Sequence, residues 1–282
     1  MDTAVIDHLR GWIGKSQTDE DLISERQARL MAATVDYPLE RIAAGQPLPP
    51  LWHWVYFLNG LPPAELGRDG HPARGGFLPP VPLSNRMWAG GRVAFLRPIP
   101  IGASVRKVST ILSVEHKQGR SGDLVFVTVL HELFLTEGTL CLREEHDIVY
   151  REPQPLAKPV PVADAASPAG VSRSLTPTST LLFRYSALTF NGHRIHYDAD
   201  YCREVEGYPN LVIHGPLNAT LLAQLAEAVG GRPIREFSYR GVSPAFLGET
   251  ITFNVQCDGD AVRLRALLGN GAPSMQAEAR LA

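Results

Sequence analysis

No apolar run in this chain is long enough to cross a bilayer. The nearest approach, "LVFVTVLHELFLTEGTL", is broken by His131, Glu132 and Glu137, whereas a spanning helix needs about 20 predominantly apolar residues. Basic excess is missing too: 27 Lys and Arg stand against 29 Asp and Glu, for a net charge of −2. That balance argues against nucleic acid as the main partner, which usually requires a basic footprint. Cysteine is scarce. Cys141, Cys202 and Cys257 are far apart and odd in number, so a disulfide framework is not expected. Asp2 and Asp7 stand where a secretory leader would carry basic residues. The expectation is a cytoplasmic protein without membrane or nucleic-acid partners. What remains is ordinary globular composition, 44% hydrophobic and 20% charged over 282 residues, enough for one large domain or two modest ones.

Residues 152–178 form the clearest boundary. The stretch from Glu152 to Pro177 holds six prolines and few large apolar side chains, a composition that describes a connector and cannot build a core. The flanking halves, residues 1–151 and 179–282, share a pattern. "FLRPIPIGASV" and "VSPAFLGETI" both carry Pro-x-x-x-Gly, with Pro98 and Pro244, and Gly102 and Gly248, each 146 positions apart. Alternating strands separated by Gly and Asp turns follow each of these corners. One amphipathic helix precedes each: "DEDLISERQARLMAATVD" in the first half and "GPLNATLLAQLAEAVGG" in the second, the latter with Pro216 at a helix start and Gly230-Gly231 as a stop. A helix followed by antiparallel strands, twice over, predicts an α+β chain. Each half would wrap a curved sheet around its helix, leaving a ligand groove between the halves.

The densest polar cluster is "SALTFNGHRIHYD", which opens as a strand-like apolar run and then gathers Asn191, His193, Arg194, His196 and Asp198. Asn191 and His196 would face opposite sides of a strand, and on a helix would diverge by about 140°. To act together they need an irregular loop, which Gly192 permits. Further on, "NLVIHGPLNATLL" places Gly215 at the start of the second helix, where its N–H can stabilise a developing oxyanion. Two other readings of the cluster exist. His193 and His196 form an H-x-x-H pair that His214 or Asp198 could complete as a metal site. The blander reading makes His193 and His214 structural and has Asp198 tie down the loop. Trp52, Trp54, Tyr56 and Phe57 in "LWHWVYFL" alternate as a core strand would.

"LTFNGHRIHYD" followed by "GYPNLVIHGPL" resembles the hydratase signature of MaoC-like enzymes with the hot-dog fold. "FNGHRIHYD", together with "RMWAGGR" at Arg86 to Arg92, is most similar to one branch of that family. The branch holds type 2 hydroxyacyl-thioester dehydratases and the mesaconyl-C4-CoA and itaconyl-CoA hydratases. The resemblance implies a double hot dog, with the motif degenerate in the first half and intact in the second. It places His196 on the catalytic histidine and Gly215 on the oxyanion-hole glycine. Asn191 falls where most of the family has aspartate. An amide cannot ionise, so the expectation is that Asn191 orients water while His196 serves as base and proton return.

Implied by that resemblance is a hydro-lyase adding water to a short branched dicarboxylic enoyl-CoA, itself the substrate, with no metal or other cofactor. Arg86, Arg92 and Arg240 are the candidates to hold a substrate carboxylate or CoA phosphate. The alternatives are a (3R)-hydroxyacyl-thioester dehydratase of fatty-acid metabolism and a catalytically dead acyl-CoA-binding module. A homodimer through surface strands stays open.

Overall fold

The computed structural model describes residues 1–119, 122–153, 160–161 and 169–282. Ten strands make one antiparallel sheet. The first half supplies β1 (Ser16–Leu22), β2 (Asn85–Phe95), β3 (Ser104–Gly119), β4 (Gly122–Leu135) and β5 (Leu140–Arg151). The second supplies β6 (Val171–Leu175), β7 (Ile234–Gly241), β8 (Ile251–Asp258), β9 (Ala261–Leu267) and β10 (Pro273–Leu281). From one edge to the other the order is β1-β3-β4-β5-β2-β7-β10-β9-β8-β6. Read inward from either edge, the two halves have the same connectivity, and they meet where Gly90–Ala94 pairs with Arg240–Glu236. The repeated corners are real: Gly102 and Gly248 take φ of 96° and 89°, a conformation that favours glycine.

The helices are α1 (Thr3–Arg10), α2 (Glu25–Val35), α3 (Ser179–Leu188), the one-turn α4 (Ala199–Tyr201) and α5 (Gly215–Gly230). Helix α5 lies against β7, β8, β9 and β10 and buries Leu217, Ala219, Leu222, Ala223 and Ala226. A helix this apolar belongs in an interior; Leu217 and Leu222, fully buried, each contribute roughly 1.5–3 kcal/mol. In the first half α2 buries Ala28, Met31, Ala32 and Val35 in the same core as Trp52, Val93, Ile101 and Leu133. The chain is thus a double hot dog, each half-sheet curved round one helix. No helix among the described residues is long and apolar enough to cross a membrane.

Some local expectations change. Asp19–Leu22 belongs to β1 and pairs with β3, so the helix expected from Asp19 starts only at Glu25, as α2, where the Ser24 side chain caps the Gln27 N–H. Strand pairing overrides the helical charge spacing there. Residues Trp52–Val55 form a 3₁₀ turn, not a strand. Leu51 and Phe57 flank it with positive φ of 67° and 57°, yet Trp52, Tyr56 and Phe57 are buried as a core reading requires. The expected strand-like run at Ser186 is instead the end of α3, capped at its start by Thr178. Much of the connector, 154–159 and 162–168, lies outside the described residues. Its Val171–Leu175 is β6, paired with β8. Most of the side chains of β6 are exposed, so an edge strand left no apolar signal to read.

Candidate active site

The chain reverses after α3 through Phe190, which takes φ of 49°. Asn191 Oδ1 then accepts the His193 N–H at 3.0 Å, an Asx turn that fixes the loop. Arg194 donates to Asp198 Oδ2 at 2.7 and 3.1 Å, while Asp198 Oδ1 accepts from the Tyr201 N–H at 2.9 Å. Asp198 is therefore engaged in holding the loop. The first half braces it: the Arg194 N–H donates to the Asp69 carbonyl at 2.9 Å, and Gly70 packs directly on Gly192. A side chain on Gly70 would collide with the Gly192 carbonyl, and a Cβ on Gly192 would sit 2.9 Å from the Gly70 carbonyl oxygen. Gly192 is needed for this close approach, while the positive φ of the reversal falls on Phe190.

His196 is 7% exposed. Its Nδ1 lies 2.8 Å from the Val212 carbonyl oxygen; a carbonyl can only accept, so Nδ1 carries the proton and Nε2 presents a bare lone pair. The ring stacks on that of His214 with centroids 3.6 Å apart and planes 19° apart. Ser186 Oγ meets His214 Nε2 at 2.8 Å, and His214 Nδ1 is buried without a partner among the described residues. Burial lowers the His196 pKa to about 4, the Val212 bond opposing and the charge of His71 adding to the shift. Burial, with His196 and His193 as neighbours, also holds His214 well below the usual imidazole range. Both rings rest neutral, and a proton on one disfavours a second on its stacked partner. His214 therefore faces His196.

Gly215 is the first residue of α5, and its amide donates to no described residue. His214, the residue before it, makes no side-chain cap. The helix end is thus open, with its N–H groups and positive dipole end unneutralised. Glycine is required here for another reason as well. The Trp88 ring packs so closely that a Cβ would lie 2.6 Å from Trp88 Cε3. Trp88 stacks on Tyr239 at 4.4 Å and 12° and meets Trp54 edge-on at 5.8 Å.

Asn191 and His196 lie on the same loop, but no hydrogen bond joins their side chains. Of the three arginines expected at the site, Arg86 is half-buried on β2, and its charge acts on His71, His193 and Tyr150. Arg92 and Arg240 are corrections. Gly91 and Val93 pair with Tyr239 and Phe237 on the core face, so Arg92 and Arg240 point to the outer face. There Arg92 is clamped by Glu145 at 2.9 Å and Asp147 at 2.8 Å, and Arg240 donates to Gln276 Oε1 at 3.1 Å. Arg86 and Arg92 are six residues apart and should share a face; a bulge between Trp88 and Gly90 shifts the phase and separates them.

Sequence reasoning missed His71. Its Nδ1 meets Asp69 Oδ2 at 3.2 Å, and its ring lies 4.1 Å from that of His193, which in turn is 5.6 Å from His196. The Asp69-Gly70 turn was the available signal. Among the described residues the group with metal-ligand proximity is Asp69, His71 and His193, not a set containing His196. A polar cluster in the first half was missed as well. Buried Glu144 accepts from Trp54 Nε1 at 3.0 Å and bonds His53 Nε2 at 2.8 Å. Burial alone would raise its pKa, but the hydrogen bond and charge of His53 hold it at about 2.

Residues 51–247 match the family model for hydroxyacyl-thioester dehydratase type 2. The chain is 46% identical over 271 residues to the mesaconyl-C(4)-CoA hydratase of Chloroflexus aurantiacus, covering 96% of each chain. It is 29% identical to the mitochondrial hydroxyacyl-thioester dehydratase type 2 of Schizosaccharomyces pombe, over 83% of this chain and 86% of that one. Among solved structures, a MaoC-like dehydratase from Phytophthora capsici superposes with a TM-score of 0.73 at 14% identity, covering 98% of this chain and 97% of the other.

Proposed function

Since the chain belongs to the hydroxyacyl-thioester dehydratase type 2 family and is a hydro-lyase of CoA thioesters, we propose that it hydrates a short, branched, dicarboxylic enoyl-CoA. The substrate is mesaconyl-C4-CoA or itaconyl-CoA, and the product is citramalyl-CoA. The observation that carries this reading is the bare His196 Nε2, set by the Val212 carbonyl, on a ring stacked against His214, which precedes the open amide of Gly215.

In this reading the thioester oxygen accepts from the Gly215 N–H. Negative charge that develops there as water adds is stabilised by the helix end, an effect of about 10²–10³ in rate for one such donor. On mesaconyl-C4-CoA, His196 Nε2 takes a proton from water as its oxygen attacks Cβ, and the imidazolium then gives that proton to Cα. In itaconyl-CoA the double bond joins Cβ to a terminal methylene, and the proton goes to that carbon instead. A base held in one tautomer and neutral at rest suits both steps. Asn191 uses its oxygen partly in the loop turn, but an amide oxygen has a second lone pair with which to orient the water.

The 46% identical relative favours the dicarboxylic substrate. The aromatic layer of Trp54, Trp88 and Tyr239 supports a short acyl group, because beyond it stand the polar side chains of His53 and Glu144. Such a lining suits a long alkyl chain poorly. The test is mass spectrometry of crotonyl-, mesaconyl-C4- and itaconyl-CoA after incubation with the protein. Gain of one water, fastest on a dicarboxylic substrate, is expected. Absence of water uptake on all three would overturn the reading, and release of free CoA would replace it with thioester hydrolysis.

A further inference from the structure

We propose that Arg86, His71 and His193 form a subsite that holds the free carboxylate of the acyl group, a proposal that rests on the dicarboxylic reading above. Arg86 is a half-buried guanidinium that no carboxylate among the described residues pairs with. Arg92 and Arg194, by contrast, are each held by an acidic partner. The side-chain partner of Arg86 is the neutral Tyr150 hydroxyl across the strand pair. A part-buried guanidinium without a protein anion is poised for an anion from outside, and its planar fork matches a carboxylate.

Position supports the same assignment. Arg86 and Trp88 are two residues apart on β2, before the bulge, and so share a face. The Trp88 ring lies against Gly215. The charge of Arg86 reaches His71 and His193, and from these a row of imidazoles leads to the base: His71 and His193 with centroids 4.1 Å apart, then His193 and His196 at 5.6 Å. In mesaconyl-C4-CoA the carboxylate is attached to the carbon that water attacks. It must therefore lie within one bond of the atom that His196 serves, which is where this row ends.

The subsite joins both halves of the chain. Asp69 anchors His71 through its ring and its backbone N–H, at 3.2 and 3.1 Å, and Gly70 seats that loop on Gly192. His71 spends its Nδ1–H on the Asp69 carboxylate, which leaves the His193 ring to offer an N–H beside Arg86. A carboxylate arriving there would be held by the Arg86 fork and that N–H.

The experiment compares kcat/KM for mesaconyl-C4-CoA with that for crotonyl-CoA, which lacks the carboxylate, in wild type, Arg86→Gln and His71→Ala. The ratio should fall about tenfold or more in Arg86→Gln, as expected for loss of a charged hydrogen bond, and less in His71→Ala. Activity on crotonyl-CoA serves as the folding control. If wild type hydrates mesaconyl-C4-CoA and the ratio stays constant in both variants, the subsite is overturned alone. If wild type hydrates neither substrate, the functional reading falls and the subsite with it. A third arm titrates Zn²⁺. Zinc binding that His71→Ala abolishes, with the substrate ratio unchanged, would make Asp69, His71 and His193 a metal site and overturn the proposal.

Discussion

The two halves share a strand order and differ at the start of the central helix. In the first half Ser24 caps α2 and Glu25 occupies its first turn, so orphan donors and dipole are both answered by the protein. In the second half α5 begins with His214, Gly215 and Pro216, no side chain caps it, and the Gly215 amide is open. Ionisable groups differ in parallel. Glu144 of the first half is buried and charged, with its hydrogen bonds made within the protein. His196 and His214 of the second half are buried and neutral, one with a bare Nε2 and the other with an orphaned Nδ1. Around Glu144 the first half answers its buried charge within the protein and so reads as scaffold. The other leaves an acceptor and a donor unsatisfied at one place, which costs stability and suits a ligand.

Breaking the scaffold side should have the largest effect on stability. Glu144→Ala leaves His53 and the Trp54 N–H without their shared partner, and each buried group left unsatisfied costs about 1–3 kcal/mol. Urea denaturation should show that loss, while kcat of the folded fraction changes little. A large fall in kcat with stability intact would erase the division between the halves.

Acid should act next, and through histidines. His196 rests neutral in the fold with a pKa of about 4 and takes a proton near 6.5 when unfolded. Its contribution is complete above pH 6.5 and is lost as pH falls toward 4, by about 1.4 kcal/mol per pH unit across that window. His131, lowered by burial to about 3, adds in the same direction. Glu144 acts later, its share being lost from about 4.5 down to about 2. Urea midpoints measured from pH 8 to pH 4 should fall, and less steeply in His196→Ala. A flat profile would mean these histidines are not buried neutral.

The smallest expected effect is at the α2 cap. Ser24→Ala should cost about 1 kcal/mol in urea, with hydration rate unaffected. A loss of turnover larger than the loss of stability would mean that the first helix takes part in the chemistry.

The repeated Pro-x-x-x-Gly corners made the duplicated fold legible, because a positive φ at a glycine is a local property. The loop of His196 and the helix start at Gly215 were legible because each is a short motif, contiguous in the chain. Arg92 was not, since one bulge after Trp88 inverts the face of everything beyond it on β2, and Arg240 was not, since its face on β7 is set by its pairing with Gly90 and Gln276, which composition does not record. His71 reaches the site through contacts of Asp69 and Gly70 with Arg194 and Gly192, residues far apart in the chain. The Glu144 cluster was hidden by alternation, in which a single acidic residue on a strand reads as solvent-facing until its pairing with His131 is known.

The account turns on His196 as the base that activates water. Turnover of mesaconyl-C4-CoA by His196→Ala, with circular dichroism and a urea midpoint taken at pH 8, tests it directly. The expected result is a fall in kcat of about 10²–10⁴ in a protein as well folded as wild type; turnover close to wild type would contradict the mechanism.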